Sequence, residues 1–115
     1  IRGLQNLHLG SSGFQAKNLD KLPSSRHYLT LDLANLALHD QDMKPIAKLQ
    51  AERLNLSFNK ITDQTLAFLE QARSLKVLVL TGCQNLTPAG IGRFQQRRPD
   101  CRLVLKHENP LAKVK

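Results

Sequence analysis

The sequence predicts an α/β solenoid: a right-handed α/β superhelix with a curved parallel sheet on its concave side and helices on its convex side. Three observations predict it. The pair Leu-x-Leu occurs five times, at Leu7/Leu9, Leu31/Leu33, Leu54/Leu56, Leu78/Leu80 and Leu103/Leu105, with starts 24, 23, 24 and 25 residues apart. Each of the first four pairs is followed by two more apolar or small residues at near-constant offsets: Ser12 and Phe14, Leu36 and Leu38, Asn59 and Ile61, Cys83 and Leu86. Aromatic residues make up only 4% of the chain, so leucine must carry the core. A unit of this length holds one strand and one helical return. It cannot bury its apolar face alone, so successive units stack.

The third repeat displays the logic most clearly. Leu54 and Leu56 alternate with Asn55 and Ser57, which makes one side of a short strand apolar. Asn59 can turn its amide inward and bond backbone groups that have left the ladder. Ile61 returns to the core. Thr62 or Asp63 can cap a helix whose apolar positions are Leu66 and Leu69.

The other repeats follow the same path. In the first, Phe14 matches Ile61, and Leu19 and Leu22 form the helical face. In the second, Leu38 takes that place, Asp40 or Asp42 offers a cap, and Met43, Ile46 and Leu49 face inward. In the fourth, Thr87 precedes Pro88, which suits a first helical position. Ile91 and Phe94 follow, and Pro99 marks the close of the helix. Two departures stand out. Ser12 and Leu36 occupy positions where Asn or Cys is expected, which interrupts any asparagine ladder. Gln84-Asn85 adds one residue before Leu86 and bulges that turn.

At Leu80-Thr81-Gly82-Cys83-Gln84-Asn85-Leu86-Thr87-Pro88-Ala89-Gly90-Ile91 the pattern resembles the cysteine-containing class of leucine-rich repeats, L-x-G-C-x-x-L-T-D-x-G-I, with Pro88 in place of the usual Asp. Ile61-Thr62-Asp63-Gln64-Thr65-Leu66 is similar to that class's I-T-D-x-x-L. The stretch Phe94 to Leu103 is similar to the L-x-x-x-x-P-x-C-x-I end of many bacterial repeats of this kind. The resemblance spans roughly residues 4–106. It implies a leucine-rich repeat domain over residues 1–108, with residues 109–115 as a tail or linker. It also implies a role in recognising another protein, as in the substrate-recognition arms of ubiquitin ligases or in bacterial effectors. No F-box motif accompanies it.

The 115 residues suit one domain. The chain lacks an initiating Met and opens in mid-repeat at Leu4-x-x-Leu7-x-Leu9, so it reads as a piece of a longer protein. No apolar run is long enough to span a membrane. Net charge is 17 − 9 = +8, and residues 93–115 hold seven of the Lys and Arg against Asp100 and Glu108. Cys83 sits in a turn and Cys101 near the start of the next strand. Stacking would leave them about 20 Å apart, so both are expected as free, buried thiols. These are compatible with a cytoplasmic setting, although the compartment stays unknown from sequence.

On the concave side the residues between the leucines point outward. One row across the strands is Asn6, Thr30, Arg53, Val77, Arg102. A second is His8, Asp32, Asn55, Val79, Val104, and a third is Gly10, Ala34, Ser57, Thr81, Lys106. Val77, Val79 and Val104 make an apolar centre beside Arg53, Asn55 and Arg102, the make-up of a protein-binding surface. The expected partner is therefore another protein, met by the chain as a monomer. A rival surface is basic, made of Arg93, Arg97, Arg98 and Lys106, which could meet nucleic acid or an anionic surface. The scarcity of aromatic residues for base stacking speaks against nucleic acid.

No catalysis, metal or cofactor is expected. His8 and Asp32 could pair across strands, but no nucleophile accompanies them. Cys83, Cys101 and His107 lack zinc-type spacing. The glycines form no phosphate-binding loop.

Overall fold

The computed structural model describes residues 4–22 and 27–106. Five strands form one all-parallel sheet in chain order. They are β1 (Leu4–His8), β2 (His27–Asp32), β3 (Gln50–Asn55), β4 (Val77–Val79) and β5 (Arg102–Val104). Each Leu-x-Leu pair begins inside its strand, as expected. The three central pairs, Leu31/Leu33, Leu54/Leu56 and Leu78/Leu80, are buried, whereas Leu7, Leu9, Leu103 and Leu105 at the two ends of the sheet are half-buried.

The backbone ladder outlasts the strands. Leu9, Leu33, Leu56 and Leu80 donate their N–H groups to the carbonyls of Asp32, Asn55, Val79 and Val104 at 2.7–2.9 Å. Ser11, Asn35 and Phe58 continue it to Ala34, Ser57 and Thr81 at 2.8–2.9 Å. The unequal repeat lengths are taken up locally. Register slips by one residue between Gln5 and Asn6 of β1, so Leu29 is the extra residue of β2, and its side chain is 43% exposed. In the fourth repeat Gln84 and Asn85 bulge outward between two successive turns, Cys83 N–H to Leu80 O and Leu86 N–H to Cys83 O.

The returning segments are more varied than the repeats suggest. The first is a six-residue 3₁₀ helix, Ala16–Lys21, whose N-cap Gln15 makes no capping bond. The second is broken into a 3₁₀ turn, Asp40–Asp42, and the single-turn α1 (Lys44–Ala47). Pro45 explains the break: it has no N–H with which to continue a helix from residue 41. Helices α2 (Asp63–Leu69) and α3 (Pro88–Arg97) start on Thr62 and Thr87, which accept N–H bonds from Gln64 and Gly90. Leu19, Met43, Ile46, Leu66, Leu69 and Phe94 of the helical layer share one core with the strand leucines.

Side chains inside the turns join neighbouring segments. The Asn59 amide accepts N–H bonds from Leu36 (3.0 Å) and Leu38 (2.9 Å) and donates to the carbonyls of Leu33 (2.9 Å) and Leu56 (3.0 Å). Cys83 takes the equivalent place one repeat later, its thiol donating to Leu56 O at 3.1 Å. Leu36 can make no such bond. The carbonyl it would meet, Leu9 O, is instead taken by the Ser12 hydroxyl at 2.6 Å. Asn35 bonds the Ser11 hydroxyl at 3.1 Å and does not replace the missing amide. Cys83 and Cys101 are free and buried, and burial pushes both thiols above their usual pKa. His107, Glu108 and the tail at 109–115 lie outside the described residues.

Candidate functional site

Alternation along β3, β4 and β5 sends the leucines into the core and their neighbours to the opposite, open face. The register sets those neighbours side by side as expected. Arg53 pairs with Val77 and Val77 with Arg102, while Asn55 pairs with Val79 and Val79 with Val104. Adjacent strands are about 4.8 Å apart, so each row is a continuous strip. Val77, Val79 and Val104 are half-buried, and Arg53, Arg102 and Lys106 are exposed.

Asn55 is partly committed locally, its Oδ1 accepting the Ser57 N–H at 3.0 Å. Asp32 does the same for Ala34 at 3.1 Å, and its other oxygen lies 3.7 Å from His8 Nδ1. The anticipated His8–Asp32 pair is thus present, on the β1–β2 half of the face. Near the strand starts, Glu52 sits 3.1 Å from His27 Nε2 and 4.0 Å from Lys76 Nζ.

The basic residues do not form one surface. Arg93 lies 3.5 Å from Glu70 and Arg97 is exposed on α3, but Lys106 belongs to the open face of the sheet. Arg98, expected at the surface with them, is only 7% exposed. Its guanidinium donates to the carbonyls of Ala72 (2.9 Å) and Leu75 (2.6 Å) and grips Asp100 through two bonds of 3.0 and 3.1 Å. Asp100 is held below the usual carboxylate range by that hydrogen bonding. Arg98 therefore satisfies the Leu75 carbonyl and adds a second donor to that of Ala72, which also accepts the Leu75 N–H at 3.1 Å, and it is lost to any phosphate-binding patch.

One surface residue escaped the sequence reading. Ser57, expected to point outward in the third row, is buried at 4% exposure, whereas Phe58 beside it is 60% exposed. Its φ is +59°, and the matching turn positions Ser11, Asn35 and Gly82 have φ of +56°, +54° and +75°. Every repeat thus demands a left-handed residue here, which suits Gly or Asn and penalises Phe. The Phe58 ring rests on Gly82, where a Cβ would overlap it. The available signal was Phe at a turn position held elsewhere by Ser, Asn and Gly.

A depression of about 500 Å³ lies among His39, Asp40, Lys60, Thr62, Gln64 and Phe68. Its carboxylate is already bound: Asp40 accepts from the Thr62 N–H (2.8 Å) and the hydroxyls of Thr62 (2.5 Å) and Thr65 (2.6 Å). Among the described residues no group of three or more His, Cys, Asp or Glu side chains could hold a metal ion. No helix there is long and apolar enough to cross a membrane. No protein-family model matches the chain, and no curated protein matches it either.

Proposed function

We propose that this chain is a leucine-rich repeat solenoid of the cysteine-containing class, and that its open sheet face is the concave surface on which it recognises another protein. One strand per repeat, pairing in chain order, supports the architecture. So does the equivalent use of Asn59 and Cys83 to bind a carbonyl of the preceding repeat. The observation that carries the functional reading is the Val77–Val79–Val104 strip, set in register beside Arg53 and Arg102 on a face open to solvent. An apolar centre edged by Arg is the composition of protein interfaces. No group in this arrangement is placed to carry out bond chemistry, so the reading is recognition and not catalysis.

The basic-surface alternative has less support. Arg98 is internal, and Arg93 already faces Glu70.

Val79→Asp tests the reading. A charge in the centre of the strip should abolish capture of a protein partner and leave the circular dichroism spectrum and thermal midpoint unchanged, because Val79 is not part of the sealed core. Full retention of capture would refute the proposal. Arg97→Glu serves as the control and should leave capture intact.

A further inference from the structure

We propose that the occupant of the β3–β5 half of the open face is an acidic polypeptide segment carrying a large apolar side chain, and that Phe58 is the anchor on which that side chain seats. This inference rests on the reading that the open face binds protein.

The backbone supplies the first argument. Phe58 stands in a row of left-handed positions where its neighbours include Asn and Gly. A bulky residue with φ of +59° is an outlier, and strain of this kind gathers at binding positions. The ring is not spare core material, since most of it meets solvent. Gly82 supplies a flat floor beneath it, which no other residue could provide without overlap. An aromatic ring packed on backbone at one side and open to solvent at the other offers a partner a large apolar contact.

Charge supplies the second argument. Among the described residues, the rows beside the inward leucines of β3, β4 and β5 carry Arg53, Arg102 and Lys106, and the carboxylate of β3, Glu52, is already matched by His27 and Lys76. Lys60, also exposed, follows Phe58 by two residues. Asp32, in the row of Asn55 and Val79, lies on β2 beside His8. The apolar strip is thus edged by cations on its own half, and complementarity selects an anionic partner. A second copy of this chain is a poor occupant, because each copy carries +8 and would bring the same three cations to the contact. Single-stranded nucleic acid would find one aromatic ring and a strip of valines, where stacking platforms use several rings.

Selection of short random peptides displayed on phage, against the immobilised chain, tests this. The enriched peptides should be net negative and contain at least one aromatic or large aliphatic residue. Fluorescence anisotropy on the synthesised peptides should report an affinity that weakens with added salt. It should fall at least about tenfold for Phe58→Asn. Asn suits the left-handed backbone, so that variant should keep or raise the thermal midpoint. A loss of binding without a loss of stability then marks an anchor and not a packing residue. Neutral or basic winners, an unchanged affinity for Phe58→Asn, or no enrichment would overturn the proposal. If such peptides were still lost on Val79→Asp, the open-face reading would survive alone. If they ignored Val79→Asp as well, both would fall. Tighter binding of oligouridine RNA than of any selected peptide would overturn the proposal in favour of nucleic acid.

Discussion

Asn59 and Arg98 do similar work with opposite visibility. Both are buried polar residues, 4% and 7% exposed, and both satisfy backbone groups that have no ladder partner. Asn59 was legible because it falls at a fixed offset from Leu54 and Leu56, where a bend must be closed from within. Arg98 was not. Sequence places it one residue after an exposed Arg97 at the end of a helix, and spacing cannot say that the chain turns inward there. The variants should separate sharply. Arg98→Ala strands the Leu75 carbonyl, leaves that of Ala72 with the Leu75 N–H alone, and should cost about 2 kcal/mol of stability in urea unfolding, whereas Arg97→Ala should change it by less than about 0.5 kcal/mol. Equal effects would mean that the internal bonds of Arg98 are not made in solution.

At the scale of the element, the helix starts are tied to one another. Asp40 of the second repeat binds Thr62 and Thr65 of the third, and Asp63 of the third binds the Thr87 N–H at 3.0 Å and its hydroxyl at 2.5 Å. Thr62 and Thr87 were readable as caps, but the carboxylates that orient them come from the preceding repeat, and only contact in space reveals that. Pro88 stands where the next such carboxylate would be expected. Two glycines of α3 make the consequence measurable. At Gly92 an added Cβ meets nothing within 4 Å, so Gly92→Ala should raise stability by up to about 1 kcal/mol. At Gly90 the Cβ would overlap the Asp63 carboxylate and push it off Thr87. Gly90→Ala should therefore lower stability by about 1 kcal/mol despite the gain in helix propensity, and thermal melts of the two variants should move in opposite directions.

Asp40 adds a pH dependence. Burial alone would raise its pKa, but hydrogen bonds from Thr62 and Thr65 outweigh that and hold it below its ordinary value of 3.8. A carboxylate depressed in the folded state stabilises the fold above its unfolded pKa, and that contribution is lost as pH falls through the folded pKa. Stability should thus decline as pH drops below about 4, and Asp40→Asn should flatten the decline when chemical denaturation is followed across that range.

Over the whole molecule, the sheet is protected unevenly. Among the described residues, strands β2, β3 and β4 have partners on both sides, whereas β1 and β5 each have one. The inner leucines are sealed at the centre and half-buried at both ends. Opening should therefore begin at the edges, and amide hydrogen exchange should be slowest in β3 and faster in β1 and β5. Uniform protection across the five strands would contradict this gradient.

The periodicity of Leu-x-Leu by itself determined the five strands, their parallel order and the rows in which Arg53 meets Val77 and Val79 meets Val104. A strand's side chains alternate with period two, and a repeat of nearly constant length leaves one register that buries every leucine. The extra residue at Gln84-Asn85 was readable as a bulge, but only the tertiary structure placed the other length difference, at Leu29. It alone turned Arg98 inward, joined Asp40 to Thr62 and Asp63 to Thr87, and laid the Phe58 ring across Gly82. These features depend on contacts between residues about one repeat apart, made by single side chains that answer a local shortage of hydrogen bonds or a left-handed turn. A repeating pattern encodes what every repeat shares. What one repeat does to its neighbour is settled when the two are packed together.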